Sequence, residues 1–187
     1  MAGAGKKVPA GVAKRAKRIK VLIMDVDGTI TDGSVTLLSA PDGKSATEIK
    51  IFDAHDGQGM ALAHTAGLRT GLITGRESAA LRRRASELHV DFVYEKQAHK
   101  VAAYEEILRK TSVPESAVAY LGDDLPDLPV MRRVGLAVAV RDAAREVKLA
   151  AHHVTRAPGG KGAARELVEL ILKSQGIWED MIDKARA

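Results

Sequence analysis

The sequence predicts a doubly wound α/β domain, in which helices cover both faces of a mainly parallel sheet. Short apolar runs typical of buried parallel strands recur along the chain, and segments of helical periodicity separate them. Such alternation favours a parallel sheet with right-handed crossovers. With 187 residues, of which 45% are hydrophobic and 28% charged, the chain is long enough for one domain with an ordinary core.

The individual elements follow from where each pattern starts and stops. One further segment is β-like on both sides of a turn containing Pro41, Asp42 and Gly43, which predicts a β-hairpin projecting after the first strand. The predicted strands are 21–24, 69–73, 91–94, 118–121 and 136–140, with hairpin strands at 34–38 and 46–52. The predicted helices are 59–66, 78–88, 100–110, 125–134, 163–173 and 178–185.

Basic residues concentrate at the amino-terminal end. Residues 1–20 hold seven bases and no acid, so the remainder is slightly acidic although the whole chain carries +5. We expect a solvated, disordered tail at 1–18 and a single domain at 19–187. Because apolar runs are too short for a secretion signal or a membrane span, we expect a cytoplasmic protein without membrane contact. The 3% aromatic content argues against nucleic-acid stacking, and without cysteine there is no thiolate or cysteine zinc site.

Acidic and hydroxyl side chains interrupt the apolar runs at the carboxyl ends of the predicted strands. They are Asp25 with Asp27, then Thr74, then Asp123 with Asp124. In an open α/β sheet these ends border one crevice where ligands bind. Carboxylates gathered there repel one another unless a cation lies between them, and an all-oxygen donor set favours Mg²⁺. The sequence therefore predicts a magnesium site.

A magnesium ion beside a strand-end aspartate is typical of phosphoryl transfer. Asp25 is the candidate nucleophile, and Asp27 is the candidate acid and base for the leaving alcohol and the attacking water. Thr74, with the adjacent Gly75, and Lys100 at a helix start are candidates for binding the phosphate. Asp123 completes the predicted metal site, with Asp124 and Asp127 as outer or bridging candidates.

Taken together, these motifs resemble those of the haloacid dehalogenase superfamily. The similarity rests on DVDGT at 25–29, Thr74, Lys100 and GDDLPD at 122–127, and it extends over nearly all of 21–173. The resemblance implies a Mg²⁺-dependent aspartyl-phosphate mechanism with Asp25 as nucleophile and Asp27 as acid and base. It also implies metal ligation by Asp25, Asp123 and the backbone carbonyl of Asp27, and an aspartate at the second position is typical of the phosphatases.

The motif spacing leaves no room for a cap domain. The hairpin and one helix use most of the 49 residues from Asp25 to Thr74, and a helix and a strand fill the 23 from Lys100 to Asp123. An open site needs walls to select its substrate. The resemblance to small cap-less phosphatases implies a homotetramer in which hairpins meet and a neighbouring subunit covers each active site.

Three further stretches resemble cap-less phosphatases of an eight-carbon keto-deoxy sugar-acid phosphate of lipopolysaccharide synthesis. They are FDAHDGQG at 52–59, ITGR at 73–76 and APGGKGAARE at 157–166. This implies a sugar-phosphate substrate, with Asp56 and Gly57 touching the sugar and Arg76 and Arg84 facing its carboxylate or phosphate. For Arg84, a solvated helix face is the alternative.

Other interpretations remain open at the level of sequence. His55 stands where that group has arginine, and imidazole would hold an anionic sugar acid less firmly. A phosphatase of a nine-carbon keto-deoxy sugar-acid phosphate or a broader sugar phosphatase is therefore an alternative. From other classes, a non-catalytic scaffold has the same fold, whereas a receiver domain requires an aspartate after the third strand, where Tyr94 and Glu95 stand. His89, His99, His152 and His153 are expected to be structural.

Overall fold

The computed structural model describes residues 8–186, and its strands form two sheets. In chain order the strands are β1 (Val21–Met24), β2 (Thr36–Ser39), β3 (Ala46–Ile49), β4 (Arg69–Ile73), β5 (Phe92–Tyr94), β6 (Val118–Gly122), β7 (Leu136–Ala139) and β8 (His153–Val154). The larger sheet is parallel with the order β5-β4-β1-β6-β7-β8, and β2 and β3 form a separate antiparallel hairpin. The predicted doubly wound fold with a hairpin after the first strand is confirmed, and residues 8–186 contain no cap domain.

Helices connect the strands of the larger sheet and cover it. They are α1 (Ala10–Ala16), α2 (Ala54–Thr65), α3 (Ala79–Glu87), α4 (Val101–Thr111), α5 (Leu128–Met131), α6 (Arg145–Ala150), α7 (Ala163–Gln175) and α8 (Trp178–Arg186), with 3-10 turns at Glu115–Ala117 and Leu125–Asp127. Among the described residues, no helix combines the length and the apolar composition that crossing a membrane requires.

The core lies around the three central strands. Every residue of β1, β6 and β7 is buried, which accounts for their uninterrupted apolar sequences. In the parallel register Met24 lies beside both Leu72 of β4 and Leu121 of β6. The residues that follow these positions therefore emerge together at one edge of the sheet.

Within the segment predicted to be a disordered tail, 1–18, the structure corrects the prediction for residues 10–16. Ala10–Ala16 form α1, in which Val12 and Ala16 are buried, and the helix packs against α7. The Arg15 guanidinium also donates to the carbonyl of Gly135 at 2.8 Å. The helix was not predicted because basic residues dominate the composition of this segment. Its narrow apolar face is recognisable only from helical spacing. Residues 1–7 lie outside the described residues.

Other differences concern short or capped elements. α2 begins before the predicted helix because the Asp53 side chain caps it, accepting from the backbone N–H groups of His55 and Asp56. The predicted helix at 125–134 is a 3-10 turn followed by α5, since Pro126 and Pro129 interrupt regular helical hydrogen bonding. α6 and β8 were not predicted, and β8 has only two residues that depend on pairing with β7.

Candidate active site

Carboxylates from separate motifs meet at the carboxyl edge of the sheet. Oxygens of Asp25, Asp123 and Asp127 all lie within 4.8 Å of one another. The backbone N–H of Asp25 also donates to the Leu121 carbonyl at 2.9 Å, which extends the β1–β6 pairing into the site. The predicted convergence of Asp25 and Asp123 is thus confirmed. A cleft of about 190 Å³ opens here, lined by Asp25, Asp27, Thr74, Gly75, Arg76, Gln97, Ala98, Lys100, Asp123, Asp124, Pro126 and Asp127.

Asp127 is the buried anchor of this cluster. Its Oδ1 accepts from the Lys100 ammonium and the Tyr120 hydroxyl, each at 2.7 Å. Its Oδ2 accepts from the backbone N–H groups of Asp123 at 2.9 Å and Asp124 at 3.2 Å. With four donors already bound, Asp127 is better suited to orient its neighbours than to ligate a metal. Gly122 is required beside it, because a Cβ there would come within 2.4 Å of Oδ2.

Lys100 reaches the cluster from the amino-terminal end of α4. The ammonium forms buried ion pairs with Asp25 and Asp127. Burial opposes the charged form of Lys100, yet the two carboxylates outweigh it and raise the pKa of this lysine. The predicted location of Lys100 at a helix start beside the aspartates is therefore confirmed, and its proposed contact with phosphate stays a prediction.

The electrostatics of Asp25 and Asp123 fit a divalent cation. Burial raises the pKa of Asp25 well above its usual range, and the Asp127 and Asp123 carboxylates add to this effect while Lys100 opposes it. Burial and the Asp127 carboxylate raise the pKa of Asp123 to about 6. A cation between Asp25 and Asp123 would favour both carboxylates, and oxygen donors suit Mg²⁺. These two residues, rather than Asp127, are the side chains available to hold it.

The loop after β1 lies close against Asp123. Thr29 donates its hydroxyl to Asp123 Oδ1 at 3.0 Å. Gly28 has a φ of +99°, and a Cβ at this position would come within 2.2 Å of Asp123 Oδ2. Glycine is therefore needed both for the backbone conformation and for the close approach.

Asp27 faces the hairpin side of the cleft. One carboxylate oxygen forms an ion pair with Lys50, and the other accepts from the Thr74 hydroxyl at 2.9 Å. Thr74, expected to donate to phosphate, thus donates to Asp27 in this structure, and its oxygen accepts from the Arg76 backbone N–H at 3.1 Å. The Arg76 guanidinium pairs with Glu48 at 2.7 Å. Lys50 and Glu48 belong to none of the motifs in the sequence, so their place in the site was not predicted.

Three residues expected to contact the sugar are absent from the described lining of the cleft. Asp56 is buried and accepts from the backbone N–H groups of Gly162 at 3.0 Å and Arg165 at 2.8 Å, so it caps α7. Gly57 provides space for Arg84, because a Cβ there would come within 2.4 Å of an Arg84 nitrogen. Arg84 is consequently half-buried rather than on a solvated face. Their roles in sugar binding stay predictions.

The glycine-rich loop of APGGKG packs beneath the loop that follows β1. A Cβ at Gly159 would lie 1.8 Å from the Gly28 carbonyl oxygen, and one at Gly160 would lie 2.4 Å from the Thr31 carbonyl carbon. The Gly160 N–H also donates to the Thr29 carbonyl at 2.9 Å. The sequence identifies this stretch by resemblance, and the contacts show that it supports the first motif.

The peripheral candidates have simpler surroundings. Asp124 is exposed, and its side chain accepts from the Leu125 N–H at 2.8 Å, which is a helix-capping contact. His152 accepts from the Ala137 N–H at 2.9 Å and is structural as expected. His55 has an 86% exposed side chain at the start of α2.

The fold and the clustered aspartates are those of a known class of enzymes. The family model of haloacid dehalogenase-like hydrolases matches residues 73–167, and the chain belongs to that family. The similar proteins include the 3-deoxy-D-manno-octulosonate 8-phosphate phosphatase KdsC of Escherichia coli K12, which is 40% identical over 90% of this chain and 87% of its own length. The KdsC of Yersinia pestis is 42% identical over 88% of this chain and 85% of its own length.

Solved structures of such phosphatases resemble more than nine tenths of this chain. The enzyme from Yersinia pestis has a TM-score of 0.86 and 41% identity, covering 92% of this chain and 90% of its own. The enzyme from Moraxella catarrhalis, in complex with a magnesium ion, a phosphate ion and KDO, has a TM-score of 0.87 and 35% identity. That match covers 93% of this chain and 97% of the other.

Proposed function

We propose that this chain hydrolyses 3-deoxy-D-manno-octulosonate 8-phosphate to the free sugar acid and phosphate. The observation that carries the proposal is the meeting of Asp25, Asp123 and Lys100 at one edge of the sheet, in a chain 40% identical to KdsC over 90% of its length. A nucleophile, a cation site and a buried ammonium are the groups that phosphoryl transfer requires.

A magnesium ion would be held by the clustered carboxylates of Asp25 and Asp123, and the family resemblance adds the backbone carbonyl of Asp27 as a ligand. The related Moraxella catarrhalis enzyme was solved with magnesium and phosphate. When bound, the ion would neutralise phosphate oxygens and reduce their repulsion of the attacking carboxylate. The Lys100 ammonium, which pairs with Asp25, would supply a second positive charge to the phosphate oxygens.

The reaction then proceeds in two displacements at phosphorus. A carboxylate oxygen of Asp25 forms a bond to phosphorus as the ester P–O bond breaks, and Asp27 gives its proton to the departing sugar oxygen. A water molecule next attacks the phosphorus of the aspartyl phosphate, Asp27 takes the proton of that water, and the bond to Asp25 breaks. The products are phosphate and restored Asp25, so Asp27 ends as it began.

Phosphate release from a panel of sugar phosphates, with and without Mg²⁺, tests this proposal. The octulosonate ester should have the highest kcat/KM, and activity should require Mg²⁺. Asp25→Asn should lower turnover on the order of 10³-fold or more, because the nucleophile is lost. Asp180→Asn, at an exposed position in α8, is the matched control. Activity retained by Asp25→Asn would refute the mechanism, and equal rates on unrelated sugar phosphates would refute the substrate.

A second candidate substrate is 2-keto-3-deoxynononate 9-phosphate. His55 supports this alternative. Its imidazole is exposed, and it stands where the sequence resemblance leads us to expect arginine. The two esters share the carboxylate and the phosphate but differ in chain length, so the ratio of their kcat/KM values separates the candidates.

We further propose a homotetramer in the cytoplasm, with hairpins meeting centrally and a neighbouring subunit covering each site. The cleft of about 190 Å³ can hold a phosphate group but is smaller than the roughly 300–1,000 Å³ of typical ligand pockets. The hairpin exposes Val35, Leu37, Leu38 and Ile51, each by more than half. A two-stranded hairpin is marginal by itself and gains stability when such side chains are covered.

A further inference from the structure

The feature that the proposed mechanism leaves unused is a buried lysine at the base of the hairpin. The Lys50 side chain is 3% exposed, and its ammonium forms an ion pair with the Asp27 carboxylate. It also lies 3.4 Å from Glu48 Oε1. Burying an ammonium is costly unless carboxylates compensate for the lost water. Its charge is therefore committed to Asp27 and Glu48.

We propose that Lys50 is a positioning residue that holds the Asp27 carboxyl group in the orientation needed for proton transfer. The inference rests on the proposed function, in which Asp27 protonates the leaving sugar oxygen. The Asp27 oxygens have two side-chain hydrogen-bond donors in the described structure, namely Thr74 at 2.9 Å and Lys50. If the Thr74 hydroxyl turns to a bound phosphate, Lys50 becomes the contact that prevents rotation of the carboxyl group.

The location of Lys50 separates positioning from direct catalysis. Lys50 is absent from the described residues that line the cleft, whereas Asp27, Thr74 and Arg76 line it. Lys100 is almost as buried, with a 5% exposed side chain, yet it lines the cleft, so the difference lies in the absence of Lys50 from that lining. Lys50 consequently acts on the reaction by way of Asp27.

The second hairpin strand supplies this support as a pair of charges. Glu48 lies in β3 and Lys50 directly follows the last residue of that strand, with its ammonium 3.4 Å from Glu48 Oε1. Glu48 accepts from the Arg76 guanidinium at 2.7 Å, and Arg76 Nε lies 3.9 Å from Asp27. The hairpin base therefore fixes the acid-base group and a candidate sugar-binding arginine together.

The test compares two leaving groups in Lys50→Met, Lys50→Arg and the control Lys173→Met. Lys173 lies in the last turn of α7 with a 52% exposed side chain, and it is absent from the described lining of the cleft. An alkyl sugar phosphate needs a proton on its leaving oxygen, whereas p-nitrophenyl phosphate does not, and kcat/KM reports the step in which that group leaves. For Lys50→Met we expect kcat/KM to fall on the order of 10²-fold on the sugar phosphate and only a few-fold on the aryl phosphate.

Lys50→Arg should recover part of the sugar-phosphate activity, because it restores a cation beside Asp27, and Lys173→Met should match the wild type. Equal losses on both substrates, or no loss, would overturn the positioning role. If Lys50→Met proves unstable by thermal melting, the ratio of the two substrates measured in Lys50→Arg decides, and an unchanged ratio would overturn the role. Failure of the wild type to hydrolyse sugar phosphates would instead count against the proposed function.

Discussion

The carboxyl edge of the sheet and the β2–β3 hairpin border the same cleft but differ in how they are held. At the edge, Asp127 is buried and binds four donors, two of them from Lys100 and Tyr120. In the hairpin, all four residues of β2 are exposed, including Leu37 and Leu38 on opposite faces. The difference indicates that residues of one chain supply the contacts that hold the acidic cluster, whereas the exposed apolar surface of the hairpin is suited to contact outside the chain.

Removing the buried anchor should have the largest effect. Asp127→Ala leaves the Tyr120 hydroxyl and two backbone N–H groups without their acceptor and removes one partner of Lys100. We expect a loss of about 3–5 kcal/mol in the free energy of unfolding, measured by urea denaturation, and little remaining phosphatase activity. Asp124→Ala, which removes one exposed capping contact, should cost about 1 kcal/mol. Equal costs for the two variants would contradict the anchoring role.

Introducing charge on the exposed surface of β2 should affect both the assembly of subunits and the hydrolysis of the sugar phosphate. For Leu37→Asp combined with Leu38→Asp, we expect a smaller species by light scattering, because charge replaces the apolar surface. The kcat/KM on the sugar phosphate should fall on the order of 10- to 100-fold as the substrate loses its positioning walls. Leu149→Asp, at a 75% exposed position in α6, is the control. An unchanged mass would argue against hairpin-mediated assembly.

The acidic edge also predicts a pH-dependent response to magnesium. The pKa of Asp123 in the folded chain, about 6, is above its ordinary value of 3.8, so without metal the folded state binds a proton more tightly than the unfolded state. The contribution of Asp123 to the free energy of unfolding should therefore fall as the pH rises from about 4 to 6. Because Mg²⁺ needs the carboxylate, it should raise Tm more near pH 7.5 than near pH 5. Asp123→Asn should abolish this difference, and equal Tm shifts in the wild type would contradict it.

The smallest expected effect concerns His55, at the start of α2. His55→Arg adds a permanent cation at an 86% exposed position, so KM for the octulosonate ester should fall by about 3- to 10-fold with little change in kcat. Thr65→Arg, at the opposite end of α2, adds the same charge as a control. A KM unaffected by His55→Arg, or lowered equally by Thr65→Arg, would show that His55 does not face the substrate.

Much of the fold and the reacting centre could be predicted from the sequence. The apolar runs at 21–24, 69–73 and 118–121 coincide closely with β1, β4 and β6. The proximity of Asp25 and Asp123 could be predicted because parallel strands end at one edge of the sheet, and the residue that follows each strand therefore lies at that edge. The prediction of disorder was wrong for α1, because the basic residues around this helix outnumber the two side chains, Val12 and Ala16, that it buries.

The sequence by itself determined the class of fold, the order of the motifs and the acids that meet at the strand ends, because these depend on local periodicity and on which residue follows a buried strand. Tertiary structure alone decided that Lys50 supports Asp27, that Asp127 binds four donors, and that Gly159 packs on Gly28. The Lys50–Asp27 and Gly159–Gly28 contacts, and the Lys100 contact to Asp127, join segments distant along the chain, and local patterns do not encode their distances. Burial then makes each contact strong, since water no longer competes for the same hydrogen bonds and charges.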